Sequence, residues 1–176
     1  ARRTAMNEPD QMLHAAQLPF LGVLRAGGAD ATTFLQGQLT NDLRLLEDGR
    51  TQLAGYNTPQ GRVIALLRLR KADDAIYALL PTDLLERVTA LLKRFVLRSK
   101  VDLQVAADLR VGSIATVPSL PATASAQVVA FDYASGRRVV AAPPDAWRSI
   151  TGSALPGAPP HGLDEWLADD IRDGLI

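Results

Sequence analysis

The residues best suited to chemistry lie in two short polar clusters. Thr40, Asn41 and Asp42 close the segment FLQGQLTNDL, and Asn57, Thr58, Gln60 and Arg62 sit in NTPQGR. Amide and carboxylate groups held in loops can read the rim of a flat heterocycle, which alternates hydrogen-bond donors and acceptors. Asn and Asp also form turns by satisfying nearby backbone groups, so the residues alone leave a structural role open as well. Other chemistry has little to work with. There is no cysteine, which removes thiol nucleophiles, thiolate zinc sites and ligands for an iron-sulfur cluster. His14 and His161 stand far apart without ligand spacing, and no G-x-S-x-G elbow is present. Gly27 and Gly28 fail the G-x-G-x-x-G spacing, and Asp30 would repel a phosphate there. No catalytic and no metal-ligating residue is therefore expected.

The 176 residues, 47% hydrophobic and 22% charged, suffice for a core of ordinary globular type. Nineteen basic and nineteen acidic side chains cancel, which argues against direct nucleic-acid binding driven by net charge. The distribution is uneven: residues 62–100 carry nine basic side chains against four acidic ones, and residues 161–176 reverse the balance. Two solvated faces would explain this; so would a basic middle that receives phosphates or the glutamate tail of a ligand. ARRTAMNEPDQ has no apolar run after its arginines, so neither signal peptide nor membrane anchor is expected, and a cytoplasmic location is the default.

Periodicity supplies the scaffold. Leu18–Arg25, Thr51–Tyr56, Val63–Arg70, Ala75–Leu80, Val101–Ala106 and Leu109–Val117 read as strands. Val63–Arg70 should be buried at its start and wet on one side at its end. Asp30 should cap a short helix that turns Phe34 and Leu35 inward, while Pro59 and Gly61 suit the second and fourth positions of a type I turn. Leu84, Leu85, Val88, Leu91, Leu92, Phe95 and Val96 give the strongest helix, capped by Thr82 or Asp83. Val128–Tyr133 and Arg137–Ala142 form a hairpin, Pro143–Ile150 a short helix, and Leu163–Asp173 a last helix after a Pro/Gly-rich loop. The order predicts an α+β fold of mixed or antiparallel sheets with helices on one face.

GGADATTFLQGQLTNDL, GYNTPQGRVIALLRLRK, LLKRFVLRSKVDL and WLADDIRDGLI occur in an order that resembles the N-terminal half of the folate-binding YgfZ family, relatives of the glycine-cleavage T-protein. The resemblance implies an aminomethyltransferase folate-binding-domain-like fold with ferredoxin-like elements. It divides the chain into a tail (1–17), a folate-binding-like domain (18–112) and a second α+β subdomain (113–176) that stops before the family's K-G-C-Y-x-G-Q-E motif. It further implies tetrahydrofolate as ligand, iron-sulfur enzymes or cluster-assembly proteins as partners, and a non-catalytic role in cluster assembly or repair that supports tRNA modification. Trp166 matches a family tryptophan placed to stack on the pterin, joined by Asn41, Asp42, Asn57, Gln60 and Arg62. Ala65 stands where active aminomethyltransferases carry an aspartate, so that transfer chemistry, the first alternative, is not expected. Arg172 replaces a glutamate that would grip the ring. An RNA- or protein-interaction module is the remaining alternative.

Overall fold

The computed structural model describes residues 14–115, 128–133 and 138–151. Nine strands and three α-helices follow one another as β1 (His14–Gln17), β2 (Leu21–Gly27), α1 (Ala31–Gln36), β3 (Thr51–Asn57), β4 (Val63–Ala72), β5 (Ala75–Pro81), α2 (Thr82–Lys93), β6 (Asp102–Val105), β7 (Arg110–Ala115), β8 (Val129–Asp132), β9 (Arg138–Ala142) and α3 (Pro144–Thr151) among the described residues. The connector around 118–126 and the expected last helix, which holds Trp166 and Arg172, lie outside the described residues.

Every strand pairing is antiparallel, in two sheets ordered β3-β4-β5-β2-β6 and β1-β7-β9-β8. The expected α+β class is thus met, with sheets stacked in a way the sequence did not reveal. One face of the five-stranded sheet is covered by α1 and α2, through Phe34, Leu35, Leu85, Val88 and Leu92 against Leu24, Leu67, Leu69, Ile76 and Leu80. Its other face meets the second sheet, where Val23, Tyr77 and Leu79 pack on Val111, Phe131, Val139 and Ala141. The outer face of the second sheet is in turn covered by α3, with Trp147 at the centre. The layers therefore run helix, sheet, sheet, helix.

β5 explains itself in this arrangement. AIYALL is buried at every position because both its faces lie against other layers, so a continuous apolar run replaces alternation. α2 is amphipathic by contrast, burying Leu85, Val88, Thr89 and Leu92. Each Leu or Val removed from water in this way contributes about 1.5–3 kcal/mol. Thr89, the one buried polar residue described in the core, donates its hydroxyl to the Leu85 carbonyl at 2.7 Å.

Several local expectations shift. Residues 14–17, inside the stretch read as a tail, form β1 and pair with β7, and the division read near 112 falls inside β7. Asp30 does precede α1, yet its carboxylate accepts the Lys100 N–H at 2.7 Å and makes no capping bond. α2 starts at Thr82 after Pro81, without a side-chain cap; the Thr82 hydroxyl donates to the Pro19 carbonyl at 3.2 Å. β4 is exposed at its start, with Val63 62% accessible, because a register shift opposite Tyr56 and Asn57 lifts that end out of the core. The turn is as read: Gly61 donates to the Thr58 carbonyl at 2.9 Å.

Candidate functional site

Strand alternation sorts the polar residues before any ligand is considered. In β3, Gln52, Ala54 and Tyr56 face the helices, while Thr51, Leu53, Gly55 and Asn57 face the second sheet. Across the strand pair, Thr51 stands beside Arg70, Leu53 beside Arg68 and Gly55 beside Leu66. Among the described residues, the second sheet reaches one end of this strip. There the Asp132 N–H donates to the Thr51 hydroxyl at 2.9 Å, Arg70 lies 3.5 Å from the Asp132 carboxylate, and the Arg68 guanidinium stacks 3.7 Å over the Tyr133 ring. At the other end Leu53 (37%) and Leu66 (39%) remain accessible. Among the described residues, an apolar platform is thus left uncovered between the polar turn and a row of arginines.

β3 is an edge strand, and the stretch after α1 runs along its free edge. Thr40 donates its N–H to the Gly55 carbonyl at 3.0 Å and accepts the Gly55 N–H on its hydroxyl at 2.9 Å. Asn41 donates its amide to the Leu53 carbonyl at 2.9 Å, and Gln52 reaches the Asp42 carbonyl at 2.9 Å. The polar residues of this segment therefore stand in for a sixth strand, satisfying an edge that would otherwise invite pairing with another chain. Gln36 closes the corner by accepting the Leu43 N–H.

The six residues singled out from sequence thus fall into four groups. Asn41 and Asp42 are engaged within the chain: the Asn41 amide oxygen accepts the Asp42 N–H, and the Asp42 carboxylate takes both Nε and Nη2 of Arg44 while capping a one-turn 3-10 helix at Leu43–Leu45. Gln60 and Arg62 project from the exposed turn between β3 and β4. Asn57 differs. Its side-chain oxygen is buried beside Thr40, 3.3 Å from where a Cβ on Gly55 would stand, and accepts no hydrogen bond. A buried acceptor without a donor costs about 1–3 kcal/mol, which a bound donor would relieve. The Gln52 side-chain oxygen is the second such acceptor, on the helix-facing side. Trp166 lies outside the described residues.

Sequence reading missed the platform; it placed Leu66, Arg68 and Arg70 on one face of β4 and counted both arginines in the basic middle, without fixing what they face. Ala65 is buried beneath the helices opposite Tyr56, and Leu66 faces the open strip, so neither position carries a group able to take a proton. The Tyr56 hydroxyl is pushed up from its ordinary value by burial, with the charge of Arg94 pulling slightly the other way.

The Arg44 side-chain hydrogen bonds, then its backbone N–H, hold the exposed Asp42 carboxyl below its ordinary value. A depressed folded value means stability that is present above the unfolded value and lost as pH falls through the folded one. Urea melts of wild type and Asp42→Ala should accordingly differ near neutrality and converge in strong acid. A gap that stays constant across the acid range would show that the ion pair is not its source.

No family model matches the chain. It is 29% identical over 101 residues to a tRNA-modifying protein YgfZ of Hamiltonella defensa, covering 53% of this chain and 30% of that protein. It is 30% identical over 116 residues to an iron-sulfur cluster assembly factor IBA57 homolog, mitochondrial, of Mycosarcoma maydis, covering 58% and 29%. These matches span less than a third of either relative. The glycine cleavage system aminomethyltransferase T of Bartonella henselae shares the fold with a TM-score of 0.61 at 14% identity, over 78% of this chain and 44% of that one. The chain is therefore YgfZ-like in sequence and is built on the aminomethyltransferase fold.

Proposed function

We propose that this chain forms the folate-binding portion of a cytoplasmic accessory protein that supports iron-sulfur cluster assembly or repair, and through it tRNA modification, without chemistry of its own. The relatives' names support the cluster and tRNA setting. The observation that carries the ligand is the open strip of β3 and β4, where an unsatisfied Asn57 acceptor adjoins the accessible Leu53 and Leu66. A pterin brings ring N–H donors for such an acceptor and a flat apolar face for such a platform. Gln60 and Arg62 flank the same end from the turn, and by the family resemblance Trp166 would add a stacking face. With Ala65 and Leu66 at the position of the transferase aspartate, bound tetrahydrofolate is held and not turned over.

Isothermal titration with 5-formyltetrahydrofolate tests this. Saturable binding is expected, weakened about three- to tenfold by Asn57→Ala, the ordinary worth of one hydrogen bond. Absence of saturable binding at millimolar ligand would overturn the reading. Equal affinity of wild type and Asn57→Ala would move the site elsewhere.

A further inference from the structure

The edge of the five-stranded sheet farthest from β3 and β4 carries two complementary features. β6 is the last strand there, and among the described residues its outer edge pairs with nothing. The chain enters β6 through the turn that follows α2. In that turn the Phe95 N–H donates to the Leu92 carbonyl at 3.0 Å, Val96 to Lys93 at 3.2 Å and Leu97 to Phe95 at 3.0 Å, while the Val96 side chain packs on the core. The other two apolar side chains are thereby thrown outward: Phe95 is 53% and Leu97 85% accessible. Lys93, Arg94, Arg98 and Lys100 surround them, all exposed and none in an ion pair among the described residues. An ordered knuckle of two bare apolar side chains among four cations thus leads into β6.

The far end of β6 opens into a groove of about 590 Å³ between the start of α2 and the turn into β7. Leu21, Leu85, Val105 and Leu109 line it, and Asp83 and Glu86 stand on its α2 rim, exposed and likewise without an ion pair among the described residues. Arg110 on the opposite rim is turned back onto the Ala107 carbonyl at 3.1 Å. Knuckle and groove therefore sit at opposite ends of α2, whose 12 residues span about 18 Å. One is apolar and basic, the other apolar and acidic, and a single copy cannot bring them together. A twofold axis beside the middle of β6 can: it sets the strand antiparallel to its copy and carries the knuckle of each chain over the groove of the other. The register it implies places Asp102 opposite Val105 and Leu103 opposite Gln104, so no like charges face each other. A phosphate or other small anion would engage the cations and leave Leu97 in water, whereas an acidic-rimmed apolar recess takes both.

We infer that β6 and its flanks form a self-association face, on which a second copy of this chain docks antiparallel with Phe95 and Leu97 of each copy seated in the groove of the other, beside Asp83 and Glu86. The same contact closes a strand edge otherwise open to indiscriminate pairing. It is independent of the ligand strip, which lies at the opposite edge of the sheet. Sedimentation velocity of the full chain between about 1 and 200 µM tests it, with a dimer of dissociation constant about 1–50 µM expected. Leu97→Asp places a carboxylate in each of the two grooves and should weaken the dimer about a hundredfold or more. Glu86→Lys turns charge attraction into repulsion at both contacts and should weaken it about tenfold or more. Both residues are exposed, so thermal melts of the variants at low concentration should match wild type. The chain has no cysteine, so the double variant Asp83→Cys/Leu97→Cys reports the geometry directly. Mild oxidation should convert it to a covalent dimer, and neither single variant should follow. A monomer throughout the concentration range overturns the inference. So does a dimer that Leu97→Asp leaves intact, or a double variant that cross-links no better than the single ones.

Discussion

Replacing Trp147 with alanine should lower folding stability by about 3–5 kcal/mol, the range for deleting a fully buried large aromatic side chain. The indole has no accessible surface and fills the space between α3 and the outer face of the second sheet, against Ile114, Ala130, Val140 and Ala142. The sheet residues around it are largely Ala and Val, too small to close over a missing indole, so the cavity would persist. The Nε1–H also donates to the Arg110 carbonyl at 3.0 Å, tying α3 to β7. Trp147→Phe separates the two contributions: it retains much of the volume and loses the donor, and should cost about 1–2 kcal/mol less than alanine. Urea denaturation followed by far-ultraviolet circular dichroism measures both. An alanine variant that melts within 1 kcal/mol of wild type would mean that α3 does not seal this sheet.

That single tryptophan also shows what the sequence could and could not disclose. Ala146, Trp147 and Ile150 recur at helical spacing, and α3 was legible from them. Which sheet it would cover was not, because the decision belongs to long-range pairing: β1 crosses to β7, nearly a hundred residues away, and β8 and β9 complete the second sheet. β4 teaches the same point in the other direction. Its alternation correctly separated Ala65, Leu67 and Leu69 from Leu66, Arg68 and Arg70, yet the register shift opposite Asn57 exposed the end that hydrophobicity alone would bury.

The polar corner was legible in composition and ambiguous in role. Thr40 and Asn41 turn out to satisfy the free edge of β3, and Asp42 pairs with Arg44; such uses depend on which strand lies at the edge, a fact no local window contains. Asn57, of the same residue type as Asn41 and in a similar polar context, is left with an unpaired acceptor because its side chain projects onto the sheet face beside Thr40 and Gly55. Two asparagines that look equivalent in sequence thus differ by orientation on one strand edge. The arginines of β4 were counted among the basic middle, but only the arrival of Tyr133 and Asp132 from the second sheet turns them into a fixed row.

The second large effect concerns the corner where β2 enters α1. Gly28 has φ +104°, a conformation that L side chains rarely adopt, and a Cβ placed there would come within 2.3 Å of the Lys100 carbonyl oxygen and 3.2 Å of the Val101 Cα. These are backbone atoms, so no side chain can swing aside. The Lys100 carbonyl also accepts the Asp30 N–H at 3.2 Å, while the Lys100 N–H donates to the Asp30 carboxylate at 2.7 Å. A methyl group at residue 28 must therefore push the α2–β6 connection away and loosen both bonds, taking the start of α1 and its buried Phe34 and Leu35 with it. Gly28→Ala should cost about 2–4 kcal/mol, combining backbone strain with the broken clamp. Gly61 supplies the control: its φ is +82° but nothing lies within 4 Å of its Cβ position. Gly61→Ala should therefore show strain alone, about 1 kcal/mol. Equal losses in urea melts of the two variants would mean that the contact with Lys100 yields freely and that α1 is not held in place by this corner.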